Sequence, residues 1–224
     1  MATEAGAAGA LAPHLAAWER DYARRGALWR ARGDPIPQMQ SGWKVLELGC
    51  GNGKTTATLS LQPGVELHAI DSSPTAVEMC GECVKKAGGK GDVAVADGLH
   101  LPYADSFFDA VVCFHYFAHM PSEDSEKARA EAVRVLKPGG KLFFKEFGTG
   151  DFRYGKGTET EPGTFRRRGG ILTHYYTEGE AKGLFSSLRL ERFEFERWKV
   201  LLQGKEYARE RVHADFSKPP EERK

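Results

Sequence analysis

The sequence predicts an α/β protein: a doubly wound, mostly parallel, seven-stranded sheet finished by an antiparallel C-terminal hairpin. Three observations carry this. Short aliphatic runs alternate with helix-patterned segments between Trp43 and Phe147, the pattern of right-handed crossovers that cover both faces of a parallel sheet. A glycine loop parts the first strand from the following helix in "VLELGCGNGK", residues 45–54. Two long strand-like runs, 188–202 and 205–216, stand almost back to back with Gly204-Lys205 at the turn, which reads as a hairpin.

The bulk numbers exclude several classes. With 224 residues, 41% of them hydrophobic and 28% charged, and a formal net charge of +1, the chain fits one domain with no general pull toward nucleic acid or membrane. No apolar run approaches the roughly 18–20 residues of a membrane span. Cys80 and Cys83 form a CxxC with no second ligand pair at zinc spacing. The cysteines therefore read as buried thiols, with no metal site, in a reducing, cytoplasmic setting. Residues 1–13 carry Glu4 and no basic run and read as a disordered tail rather than a signal sequence. The arginines between Arg20 and Arg32 leave a transit peptide open, with Glu4, Glu19 and Asp21 against it.

In chain order, 14–40 holds an amphipathic helix with Leu15, Trp18, Tyr22 and Leu28-Trp29. It either packs on the sheet or forms a lid over a pocket. The core domain, 41–217, then reads as strand "WKVLEL", helix "GKTTATLSLQ", strand "VELHAI", helix "PTAVEMCGECVKKA" opened by Pro74, and strand "DVAVA". Strand "FDAVVCFHYF", helix "SEKARAEAVRVLK" closed by "PGG", and strand "KLFFKEF" follow. An insertion at 148–176 begins as a Gly- and charge-rich loop over 148–170. Thr177 with Glu180 reads as a capping box for the next helix, and 218–224 is a polar tail.

The glycine loop is either a tight turn or a place where backbone meets a ligand. Its glycines fall at 49, 51 and 53 with Lys54 next, which differs from the dinucleotide-binding spacing. Asp71 ends the second strand, where a carboxylate can accept from both ribose hydroxyls. Asp97 follows the third, either as an acceptor for an adenine amino group or as a solvated turn residue.

Across 43–147, the segments "VLELGCGNG", "AIDSSPTAVEMC", "VADGLHLPYADSFFDAVVC" and "AVRVLKPGGKLFF" resemble the class I S-adenosylmethionine-dependent methyltransferases. The resemblance implies a Rossmann-like fold and S-adenosyl-L-methionine as cofactor. It implies that Glu47 organises the loop and reaches the methionine amino group, and that Gly49 and Gly51 approach that part. Asp71 with Ser72 would hold the ribose, Asp97, Gly98 and Leu99 the adenine, and Phe114 and His115 the floor near the sulfonium. "RVLKPGG" is structural within the family and is left out of the site.

Methyl transfer requires alignment in a dry site, and a base only where the acceptor must lose a proton. His115 and Tyr116 are the catalytic candidates; His119 reads better as a packing residue. The C-terminal third resembles the tRNA 3-methylcytidine methyltransferases and their prokaryotic relatives through "LFFKEFGTGDFR", "FRRRGGILTHYYTEGEAKGLF" and "ERVHADFSKP". That likeness implies an acceptor side built by Arg153, Phe165, Arg166, His174, Tyr175 and Tyr176, to which Trp18 and Tyr22 of the lid would add. Tyr175 and Tyr176 could equally pack the insertion onto the sheet. The near-zero charge and short leading segment weigh against RNA. Three functions remain: a methyltransferase acting on a small molecule, one acting on a tRNA or other RNA base with a partner protein, and a non-catalytic cofactor-binding subunit.

Overall fold

The computed structural model describes residues 12–26 and 35–220. Its centre is β1 (Lys44–Leu48), whose burial follows from "VLEL" having no solvent-facing side. Parallel to it run β2 (Glu66–Asp71) and β4 (Phe108–Phe114), with β3 (Asp92–Val95) outside β2 and β5 (Leu136–Phe147) outside β4. The hairpin β9 (Arg189–Leu202) and β10 (Lys205–Ser217) completes a seven-stranded sheet in the order β3-β2-β1-β4-β5-β10-β9. Only β10 runs opposite to the other six strands.

Alternation along the strands sorts two cores. Leu46, Leu48, Val111, Leu142 and Phe144 face one layer, which contains α4 (Ser122–Val135) and α5 (Glu178–Gly183). Val45, Ala110, Val112 and Phe143 face the other, with Met39 and with Leu59 of α2 (Lys54–Leu59). On that side α3 (Pro74–Ala87) adds Cys80 and Val84. Pro74 at the first turn and Ser73, whose side chain accepts from Ala76 N, start α3 where the pattern placed it.

Several expectations are corrected. The helix α1 (Pro13–Arg25) begins inside the stretch assigned to the tail, because Pro13 sits at its first position. Residues 1–11, Leu28 and Trp29, and 221–224 lie outside the described residues. β4 stops at Phe114 instead of continuing to Phe117, since His115 takes φ +55 and a 3-10 turn (Phe117–His119) follows. α4 ends at Val135, and "KPGG" lies within β5 as an irregularity against Phe108 and Ala110. There Gly139 has φ +78, and Gly139 and Gly140 pair with Lys218.

The insertion is not one long loop. It holds a small antiparallel sheet, β6 (Thr158–Glu161), β7 (Thr164–Arg166) and β8 (Leu172–His174). Unlike "DVAVA", these strands of three or four residues lie in Gly- and charge-rich sequence where no apolar alternation marks them. The hairpin turn is Gln203-Gly204, with φ +50 and +76 and Lys205 already paired to Leu202. Two successive left-handed residues match the twist of the flanking strands. Among the described residues no helix is long and apolar enough to cross a membrane.

Candidate active site

The carboxyl ends of β1, β2, β4 and β5 converge on one rim. After β1 the chain turns through Gly49, Gly51 and Gly53 at φ +71, +52 and +86, a region that side chains with a Cβ resist. A Cβ on Gly49 would lie 2.7 Å from the Tyr116 ring, and one on Gly51 would lie 2.6 Å from the Tyr22 hydroxyl. Both glycines are therefore required by conformation and by close approach.

Glu47 stands beneath this loop, 3% exposed. Its Oε2 is buried without a hydrogen-bond partner. Burial pushes its carboxyl well above the ordinary range, against a lowering hydrogen bond from Thr56. Across the rim, Asp71 accepts from Gly51 N and Ser73 N, each at 2.9 Å. Burial outweighs those bonds and raises its pKa. Each carboxylate oxygen keeps lone pairs beyond the one used, so Asp71 ties the loop to β2 and still can accept. Ser72, beside it, is half-buried.

Asp97 is exposed and closes a turn with Leu99 N at 2.9 Å, its other oxygen 3.2 Å from His100 Nδ1. Gly98 is buried and meets the Tyr116 hydroxyl, and Leu99 packs on the larger core. Tyr116 thus spans from Gly49 to Gly98, between the two backbone segments. Burial, then the charges of Asp71 and Asp97, raise its phenol far above the usual range, so it is an O–H donor rather than a base. Phe114 turns to the opposite layer, with the Lys145 ammonium 4.1 Å from its ring.

The structure brings α1 onto this rim. Glu19 accepts from the hydroxyls of Ser73 and Thr75 at the start of α3. Burial alone would raise Glu19; those bonds outweigh it and lower its pKa. Tyr22 is buried against the glycine loop, and Trp18 stands edge-on to His119 at 4.8 Å. His119 is no base: burial lowers it to about 4, and its Nδ1 donates to Leu172 O at 2.8 Å, pinning β8 to the 3-10 turn.

The residues assigned to the acceptor side divide. Tyr175 and Tyr176 are 1% and 3% exposed; the Tyr175 hydroxyl has no hydrogen-bond partner. Phe165 packs with Tyr175 and Phe147. His174 Nδ1 meets Thr164 Oγ1 at 2.8 Å, while Arg166 is exposed to solvent on β7. Arg153 makes two bonds to buried Asp151, at 2.7 and 3.1 Å, and lies over the Phe147 ring at 4.0 Å. Phe147 in turn stacks on His115 at 4.4 Å. Arg209 of β10 also bonds Asp151 at 2.6 Å, so the hairpin fixes the start of the insertion.

Sequence reasoning missed Glu19, Asp151 and Glu146. Glu146 was detectable: an acid inside the apolar run "LFFKEF" must either be exposed or have a role, and it is 0% exposed. Glu19 and Asp151 gave no such signal, since Glu19 acquires its role from Ser73 and Thr75 and Asp151 its tie to the hairpin from Arg209, all more than 50 positions away.

This strand order, with a left-handed glycine loop after β1 and carboxylates ending β2 and following β3, is the Rossmann-like fold seen in methyltransferase structures. Residues 46–144 match the family described as methyltransferase domain. The methyltransferase GfsG of Streptomyces halstedii is 37% identical over 46% of this chain and 37% of its own length. The tRNA N(3)-cytidine methyltransferase METTL2 of Mus musculus is 25% identical over 84% of this chain and 52% of its own. A SAM-dependent methyltransferase structure from Methanosarcina mazei superposes with a TM-score of 0.68 at 24% identity, covering 84% of this chain and all of that one. The chain spans only 29% to 52% of the length of these and similar curated relatives.

Proposed function

We propose that the protein is an S-adenosylmethionine-dependent methyltransferase whose acceptor is a small molecule. The observation that carries the cofactor half is Glu47, a buried carboxyl with an orphaned oxygen at the foot of a left-handed glycine loop. An α-ammonium group is the chemistry that relieves such a carboxyl, because a buried charge needs a paired opposite charge. Gly49 and Gly51 would then approach the methionine part, Asp71 and Ser72 the ribose, and Asp97, Gly98 and Leu99 the adenine. The bound cofactor supplies a methyl group on a cationic sulfur that departs neutral. The chain's own task is to align the acceptor and keep water out, and α1 with Trp18 and Tyr22 suits a small, enclosed acceptor.

A second reading, a tRNA base as acceptor, is favoured by the METTL2 match, which runs past the cofactor half to 84% of the chain. A partner protein would then supply further RNA contacts.

Titration calorimetry tests the cofactor. Wild-type protein is expected to bind S-adenosylmethionine, and Asp71→Ala to weaken binding by about 2–3 kcal/mol through lost hydroxyl contacts. Equal affinity would remove Asp71 from the site. Incubation with methyl-labelled cofactor, a metabolite extract and total tRNA tests the acceptor. Label is expected in the small-molecule fraction; salt-sensitive label in tRNA would replace the first reading with the second.

A further inference from the structure

Glu146 ends β5 with its carboxyl sealed from solvent. Its Oε1 accepts from Ala118 N at 3.1 Å, and the carboxyl also meets the Tyr116 and Phe117 N–H groups. Three backbone donors thus hold the turn after β4. Its Oε2 has no hydrogen-bond partner and lies 3.6 Å from His115 Nδ1, just beyond hydrogen-bond distance. Nδ1 is itself shielded, whereas the His115 side chain as a whole keeps 27% exposure. His115 holds φ +55, costly for a residue with a Cβ, and stacks on Phe147, whose ring also meets the Arg153 guanidinium.

We propose that Glu146 is a positioning residue that shares one proton with His115 between Oε2 and Nδ1, and that loss of one proton from the pair, leaving the shared proton on Nδ1, makes His115 Nε2 a base toward the methyl acceptor. While Oε2 holds the proton it donates to Nδ1, and His115 carries Nε2–H. When the pair ionises, the Nε2 proton leaves to water and the shared proton moves from Oε2 to Nδ1; Nδ1–H then donates to the carboxylate and Nε2 offers a lone pair, the logic of a histidine oriented by an acid. The acceptor's N–H or O–H proton passes to Nε2 and on to water, the acceptor atom bonds the methyl carbon, and the carbon–sulfur electron pair stays on sulfur. This step rests on the methyltransferase reading above. The groups facing the pair are Cys113 of β4, Tyr176 after β8, Arg153 and Asp151 of the insertion, and Arg209 of β10. Burial outweighs the three backbone bonds and pushes Glu146 up to about 8.

Nitrogen-15 NMR of the histidine rings in the cofactor-free, full-length protein tests this. Wild-type His115 is expected to switch from Nε2–H to Nδ1–H as pH rises through the Glu146 titration, between about pH 6 and about pH 10. Glu146→Gln, whose Oε1 still holds the turn and whose amide donates to Nδ1, is expected to keep Nε2–H throughout. A single tautomer in the wild type across that range, or a switch in the variant, overturns the proposal. The wild-type titration decides it even where the variant does not fold. A switch in protein that binds no S-adenosylmethionine would uphold the pair and refute the methyltransferase reading.

Discussion

At the residue scale, polar atoms buried without partners separate packing from chemistry. Tyr175 was a candidate for acceptor contact, yet its ring fills the space among Phe147, Tyr154 and Phe165 while its hydroxyl bonds nothing. Burying an unpaired hydroxyl costs about 1–3 kcal/mol. Tyr175→Phe is therefore expected to leave stability unchanged or raise it by up to about 1 kcal/mol in urea unfolding. A loss of more than about 1 kcal/mol would show that the hydroxyl has a partner in solution. Asp71, Asp97 and the loop glycines were legible because strand ends and positive φ leave local marks in sequence. The pairing of Glu146 with His115 was not, because no spacing rule joins the end of β5 to the residue after β4.

At the element scale, α1 was readable as an amphipathic helix but not as packed or lid. Tertiary contacts decide: Ala17 and Tyr22 are buried, and Glu19 caps the start of α3 from 54 residues away. A lost cap of this kind costs about 1 kcal/mol. Hydrogen exchange of Glu19→Ala is expected to speed up severalfold over 13–25, with β1 and β4 unchanged. Equal protection would mean that Trp18 and Tyr22 alone seat the helix. The short strands β6 to β8 were illegible for a related reason. They are held by bonds such as Tyr175 N to Gly163 O and His119 to Leu172 O, not by a hydrophobic period of their own.

At the scale of the whole molecule, two buried carboxyls tilt stability with pH. The folded-state pKa of Glu146 is raised to about 8 and that of Glu47 well above its ordinary value, burial being the chief cause of each. A raised folded pKa stabilises fully below the unfolded carboxyl value, about 4.3, and that contribution is lost as pH rises through the folded value. Urea midpoints of the wild type are expected to fall by a few kcal/mol in equivalent free energy between about pH 5 and about pH 8, and Glu146→Gln to flatten part of that slope. A flat wild-type profile would mean that solvent reaches both groups. The sequence alone determined the parallel sheet with its terminal hairpin and the loop and acids along the rim, because hydrophobic period, turn chemistry and strand ends are local properties. Only the tertiary structure decided that α1 closes on the rim, that Asp151 binds the insertion to β10, and that Glu146 faces His115. Each joins residues far apart in the chain, and a buried charge acquires its role from the neighbours that folding brings to it.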